Sequence, residues 1–510
     1  MAGYLALPNE IRDLIVLSPQ DLSRLSRTSK AMHKVLLPRL YNRISLCWEA
    51  FKPPPRVSNI LKTLAQAPDL AEKVEEFSFC GKNYLTRVAS VKQKQFPYQR
   101  NILSYLVDAK PKANADDIRI ESLLQRAKRN TRLSQAEWES VLGGQDTLDI
   151  MTAAIIVLCP NLRVLYLDSG FLNQNTVLAK IIYHQFLNYD NECSTPAFTK
   201  LKKVYLGQDL SSWDSTNLKL LEFPLSACLP FFYLPSLELL SAPLPDSIGV
   251  SGLSPPPTVW PTPTPPVCTV RTLDLHTSRA KAATLSFILA QTPHLQSLHY
   301  EYWPWMEAWP EERLDCTEVR HALESLSHTL TELTISLNPF SSQADEVEEG
   351  GVWIKGGRGV GSLVFLSRLT KLEIALPVLL SWEGDTGLGL KDVLPFSLED
   401  MCIRDDCISH TGNVFCEERT IEEVQCWIGN KVWRKCTPNL KCVGLRLCTS
   451  IGDDWSKESR KTTMDICEQE GLEFWFVKLD PDQEYDAAKD IWYDADNPLR
   501  YPLHGPLSER

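Results

Sequence analysis

Eleven times along this chain an apolar residue is followed by two variable residues, a second apolar residue, one variable residue and a third apolar residue. The clearest copies begin at Val74, Leu162, Leu201, Leu237, Val270, Leu295, Leu330, Leu369, Leu398, Leu440 and Leu472. The last two apolar residues alternate with single polar positions, the period of a strand with one buried face. A helical pattern from Asn59 to Leu70 precedes the first copy, and others stand between later ones: Thr147 to Leu158, Thr176 to Leu187, Ala282 to Gln291 and Glu318 to Leu326. A strand returning parallel to its neighbour needs a crossover of this length, so helix and strand alternating in this order predict an α/β fold with a parallel sheet. Copies start between 25 residues apart (270 to 295) and 42 apart (398 to 440), with one longer gap after residue 79. Pro160, Pro293 and Pro438 each precede a strand, where proline ends the helix before it.

That template is the strand core of a leucine-rich repeat. Stacked units of this kind give a solenoid with parallel strands on the concave face and helices outside. A non-repetitive α/β domain with leucine-rich strands reads the same way residue by residue, since the spacing is irregular. Two stretches interrupt the series. Ser254 to Pro266 is proline-rich and predicts an extended loop, or a proline-motif ligand. Ser341 to Gly361 combines four carboxylates with glycines at 350, 351, 356, 357 and 359 and predicts a mobile surface loop. Its Gly356-Gly357-Arg358-Gly359 lacks the Gly-Lys-Ser/Thr ending of a phosphate loop.

The first 46 residues read differently. Leu7, Ile11, Leu14 and Ile15 recur at helical spacing, with Pro8 suited to a first turn. Ser18-Pro19-Gln20-Asp21 starts a second helix by capping-box logic, with Leu22 and Leu25 on its apolar side. Met32, Val35 and Leu36 mark a third helix, which Pro38 should end. A bundle of about 40 residues cannot bury all its apolar surface alone, so the remainder must meet the next domain or a partner.

The order Leu7-Pro8-Asn9-Glu10-Ile11, Leu17-Ser18-Pro19-Gln20-Asp21-Leu22, Leu25-Ser26-Arg27-Thr28-Ser29-Lys30 and Leu37-Pro38-Arg39-Leu40-Tyr41 resembles an F-box. The spacing between Leu7-Pro8 and Ser18-Pro19 is shorter than the usual pattern. The resemblance to fungal-type F-box proteins with degenerate leucine-rich repeats implies a three-helix F-box over 1–50. It implies a repeat solenoid over 51–480 with loop insertions near 245–268 and 341–361, and a cap or tail over 481–510. It further implies a substrate-recognition subunit of a Skp-cullin-F-box ubiquitin ligase. In that role Leu7, Pro8, Ile11, Leu14, Ile15, Leu22 and Leu25 would face the Skp-type adaptor, and the solenoid would hold an unknown target protein. The alternative is a leucine-rich-repeat interaction scaffold without ligase activity.

Composition narrows the chemistry. A formal net charge of −11 disfavours a general nucleic-acid binder. No stretch reaches the roughly 18 continuous apolar residues of a membrane span. No secretory pattern opens the chain, so its 15 cysteines are expected to stay reduced in a cytoplasmic or nuclear protein. The cysteines from Cys402 to Cys448 lack paired metal-ligand spacing, and no metal or other cofactor is expected. Cys402 and Cys442 read as small apolar fillers inside strands. No nucleophile elbow, zinc-protease helix or dinucleotide fingerprint occurs, and no catalytic residue is expected. His294, His299 and His328 flank strands, where a structural role is the ordinary expectation. The aromatic run after Leu298 places Tyr302, Trp303, Trp305 and Trp309 at a strand exit, as partner anchors or as a loop folded back on the stack.

Overall fold

A computed structural model describes residues 19–49, 55–82, 117–131, 133–142, 147–168, 176–187, 198–207, 228–244, 268–278, 280–303, 313–337, 354–382, 387–406, 417–447 and 456–478. It is an α/β protein built on one twelve-stranded, all-parallel sheet whose spatial order is its sequence order. The strands are β1 Arg43–Glu49, β2 Glu76–Lys82, β3 Val164–Asp168, β4 Lys203–Gly207, β5 Leu239–Ser241 and β6 Thr272–Ser278. They continue as β7 Ser297–Tyr302, β8 Glu332–Leu337, β9 Lys371–Ala375, β10 Asp400–Arg404, β11 Cys442–Leu447 and β12 Glu473–Lys478. All eleven template copies therefore become strands. β1 was not anticipated, because Arg43-Ile44-Ser45-Leu46 follows a helix with no intervening turn signal.

Register is kept by one repeated backbone bond. The residue after each template's first apolar position donates its N–H to the matching carbonyl one strand earlier. Glu75 donates to Asn42, Arg163 to Glu75, Lys202 to Arg163 at 2.9 Å, and Glu238 to Lys202 at 2.8 Å. The series continues through Arg271, Gln296, Thr331, Thr370, Glu399 and Lys441; the last copy is shifted by one, so that Glu473 stands opposite Cys442 and donates to Lys441. The first apolar residue itself is not in the strand. Leu162, Leu201, Leu295 and Leu398 close turns onto Cys159, Phe198, Thr292 and Pro395, which tucks their side chains into the core while the backbone reverses.

The longer helices are α1 Pro19–Ser26, α2 Lys30–Asn42, α3 Val57–Gln66, α4 Asp117–Arg129, α5 Gln135–Leu142 and α6 Thr147–Leu158. After them come α7 Thr176–Leu187, α8 Ala282–Leu289, α9 Cys316–Glu324, α10 Glu417–Val424 and α11 Lys457–Gln469. Neighbouring helices touch, as α3 with α6, α6 with α7, α8 with α9 and α10 with α11. The template leucines on one face of the sheet and the inner sides of these helices form one continuous core. The helix expected over Asn59 to Leu70 breaks at Ala67, and Pro68 starts a separate single turn, Pro68–Ala71.

The N-terminal helices depart from this plan. α1 and α2 enclose a separate small core of Leu22, Met32 and Leu36, flanked by half-buried Leu25, Val35 and Leu40. Ser29 caps α2 by accepting from the Met32 N–H at 3.1 Å. Pro38 does not end α2, contrary to its sequence reading; the helix runs on to Asn42. The carbonyl that loses its partner belongs to solvent-exposed Lys34, and the extra turn sets Tyr41 against the main core before the chain enters β1. The first expected helix, from Leu7 to Ile15, lies outside the described residues, as do Ser254 to Pro266 and the segment 481–510.

The described end of the stretch Ser341 to Gly361 is a correction, while 341–353 lie outside the described residues. Residues 354–361 are packed rather than mobile: Ile354 and Val360 are buried, and Val360 and Gly361 donate to the Val378 and Leu379 carbonyls, both at 2.8 Å. A Cβ on Gly359 would sit 2.6 Å from the Leu379 oxygen, so this close approach requires glycine. The eleven described cysteines are all thiols, with no disulfide among them. Among the described residues no helix is long and apolar enough to cross a membrane.

Candidate binding face

In a strand, alternate side chains leave opposite faces, so the residue between the last two template apolars lies on the side of the sheet away from the core; in β12, shifted by one, that place falls to Trp475. In-register pairing then aligns these residues into rows that cross the molecule. The middle row reads Ser45, Ser78, Tyr166, Tyr205, Ser241, Asp274, His299, Thr334, Glu373, Cys402, Gly444 and Trp475. The chain thus brings onto one face residues up to four hundred positions apart. Cys402 and Cys442 belong to this face, not to the core their strand setting led us to expect.

Three groupings give the face its chemistry. Near its start, Tyr166 and Tyr205 stack with ring centroids 4.5 Å apart and planes 5° from parallel. Burial pushes the Tyr205 phenol up to about 12 and raises Tyr166 as well, so both stay protonated donors. Glu76, beside them, is raised by burial against the opposing pull of Arg43, 3.1 Å away.

At the centre, Asp274 on β6 gathers its neighbours on both sides. Ser241 Oγ donates to Asp274 Oδ2 at 2.7 Å, and His299 Nδ1 stands 2.6 Å from Asp274 Oδ1. Burial alone would lower the His299 pKa. The Asp274 hydrogen bond and the Asp274 and Glu301 carboxylates outweigh it and raise the pKa, with Arg404 opposing. His276, equally buried on the same face, is lowered by desolvation despite the same two carboxylates. The hydroxyl here is bonded to the carboxylate rather than to the imidazole, so the trio is not arranged for nucleophilic catalysis.

Toward the other end, Glu373 on β9 is shared by two guanidinium groups. Arg404 Nη1 bonds its Oε1, and Arg446 Nε lies 2.8 Å from the same oxygen. Arg404 Nε also reaches both oxygens of Asp406, at 2.8 and 3.0 Å, and Asp406 in turn accepts from the Leu337 N–H at 3.2 Å. The Arg404 and Asp406 side chains are 3% and 4% exposed. Such charges are tolerated in a dry setting only as a paired set. The Trp475 ring then covers Gly444, occupying the space a Cβ there would take.

The sequence candidates fall elsewhere. Leu7, Pro8, Ile11, Leu14, Ile15, Trp305 and Trp309 lie outside the described residues. Leu22 is buried in the small helical core and Leu25 half-buried at its edge. Tyr302 is not an exposed anchor: it closes β7 and is 1% exposed. Trp303 is half-buried and its N–H donates to the Ser278 carbonyl at 2.8 Å. What the sequence reading missed is Asp274, Glu373, Arg404 and Arg446, and the pairing of His299, read there as structural, with Asp274. Stacking the template copies in columns brings them out: Asp274, His299 and Glu373 fall between the last two template apolars, and Arg404 and Arg446 directly follow the last. Among the described residues no group of three or more His, Cys, Asp or Glu is placed to hold a metal ion. Compared with known proteins, the chain matches no family model and no curated protein.

Proposed function

We propose that this chain is the substrate receptor of a Skp-cullin-F-box ubiquitin ligase, working in the cytoplasm or nucleus. In this reading α1 and α2, with the segment before them, dock on the Skp-type adaptor. The sheet is a leucine-rich-repeat solenoid that holds the target. The observation that carries the reading is the separate core of α1 and α2. Three buried side chains are too few to stabilise a helical module, so the module calls for further apolar cover. A continuous core under twelve strands, by contrast, supports a rigid platform.

Two further facts favour a receptor. Strands spaced about 4.8 Å apart beneath helices about 10 Å apart make such a stack curve with its strands inside, which offers a long inner surface to a protein partner. That face is polar and varied along its length, although most of its middle row is buried. Ubiquitin transfer would then be promoted by proximity, the receptor raising the target's effective concentration near the charged enzyme.

The test is a pull-down of the full chain with purified Skp-type adaptor. Co-purification is expected, falling at least tenfold in the Leu7→Ala, Pro8→Ala double variant. No binding by the wild type, or unchanged binding by the double variant, would replace the ligase reading with that of a leucine-rich-repeat scaffold.

A further inference from the structure

From the alignment of β1 and β2, we infer that Cys47 and Cys80 form a redox-modifiable dithiol that closes to a reversible disulfide on reaction with a peroxide. The two residues are direct register partners on adjacent parallel strands. Such partners sit about 4.8 Å apart at Cα, inside the roughly 4.4–6.8 Å window that disulfides span. Parallel strands send both side chains to the same face. The Cys80 thiol already leans across the gap, its Sγ 3.6 Å from the Leu46 carbonyl on β1, one residue before Cys47.

Access and freedom to move complete the case. Cys47 is part-exposed while Cys80 is buried, so a small oxidant meets Cys47 first. Among the described residues β1 is an edge strand, paired with β2 alone, and can close the remaining gap without disturbing a second described strand. The chemistry balances with hydrogen peroxide as oxidant. The Cys47 thiolate attacks one peroxide oxygen and the O–O bond breaks, giving a sulfenic acid and hydroxide, which takes up the thiol proton as water. The Cys80 sulfur then displaces the sulfenic oxygen, which leaves as a second water, and the S–S bond forms. Most other described thiols compete poorly. Burial pushes Cys159, Cys442 and Cys467 up to about 12 and Cys268 to about 11, which keeps them protonated.

The pair lies where the N-terminal helices join the sheet. The bond would staple the strand that carries those helices to the body of the protein, and thiol reductants would release it.

The experiment treats the full chain with hydrogen peroxide, blocks remaining thiols with N-ethylmaleimide, and maps a non-reduced digest by mass spectrometry. The expected result is one species containing the Cys47 and Cys80 peptides, lighter by two hydrogens than their sum and split by dithiothreitol. In Cys80→Ser that species vanishes and Cys47 instead carries sulfinic acid or the maleimide. Recovery of Cys47 and Cys80 on separate blocked peptides in the wild type, or of Cys47 joined to any other cysteine such as exposed Cys426, overturns the inference. Mapping the wild-type chain alone is decisive, so a folding defect in the variant does not rescue the idea.

Discussion

The two faces of the sheet are built from the same twelve strands and obey opposite rules. Toward the helices, the row Leu298, Leu333, Leu372, Met401, Val443 repeats one kind of side chain, each almost fully buried. Toward the other side, the row His299, Thr334, Glu373, Cys402, Gly444 changes chemistry at every strand. The first face is answerable to packing alone, and any apolar group of suitable volume serves. The second is specified pair by pair, through partners on neighbouring strands. The lesson is that the stack is a scaffold on one side and a set of individual choices on the other, and substitutions should separate the two.

The largest effect is expected on the polar side. Arg404→Ala withdraws the guanidinium shared by Glu373 and Asp406 and leaves two carboxylates without it in a dry setting. Removing one member of a buried ion network costs about 3–5 kcal/mol. Amide hydrogen exchange should report it as lost protection across β8 to β11, with β2 to β4 unchanged, since a stacked array is coupled through nearest neighbours. Uniform loss over the whole sheet would mean that the network is not local.

Leu298→Ala tests the packing side one residue away from His299. Truncating a fully buried leucine costs about 3 kcal/mol through lost transfer energy and the cavity left behind. Urea denaturation should show this loss equally at pH 5.5 and pH 8, because Leu298 belongs to the apolar core. A pH-dependent loss would break the separation of the faces.

How much of this was legible beforehand follows from the same contrast. The apolar face repeats, so Leu162, Leu201 and Leu295 announced their strands, and α6 and α7 matched their periodicity end to end. The polar face does not repeat. Asp274 and His299 are 25 residues apart and Arg404 and Glu373 are 31 apart, and neither spacing means anything until register aligns them. Tyr302 misled because a residue at a strand exit reads as exposed when its burial depends on what the next unit packs over it. Pro38 misled because helix propensity gave way to the tertiary demand that Tyr41 reach the core. β1 was hidden for a related reason: a single strand following a helix directly has no helix-to-strand punctuation.

His299→Gln sharpens the comparison through pH. The His299 pKa is raised in the folded chain, chiefly by Asp274 once the burial cost is overcome. Its contribution to stability is therefore fully present below the unfolded value near 6.5 and is lost as pH rises through the folded value. The variant should be weaker than wild type by about 1–3 kcal/mol at pH 5.5, the worth of a buried hydrogen bond between charged groups. That difference should shrink as pH rises. His276, lowered by burial and in part by His299 itself, is partly relieved in the variant, which trims the difference at low pH without reversing its sign. A gap that widens with pH would show that the imidazole is neutral beside Asp274.

The smallest effect carries the comparison to the N-terminal helices, where neither face of the sheet is involved. Ser29→Ala removes the acceptor that satisfies the Met32 N–H at the start of α2. An N-cap of this kind is worth about 1 kcal/mol. In a core of Leu22, Met32 and Leu36 that is a large share of what holds the pair together, whereas the sheet would not register it. Hydrogen exchange should accelerate through α1 and α2 and stop at β1, and on the proposed receptor reading it should slow again when a saturating Skp-type adaptor is added, since a ligand of the folded helices alone would stabilise them by mass action. If exchange instead accelerates into β2 and β3, the helical pair and the sheet unfold as one unit, and the separate small core is no boundary at all.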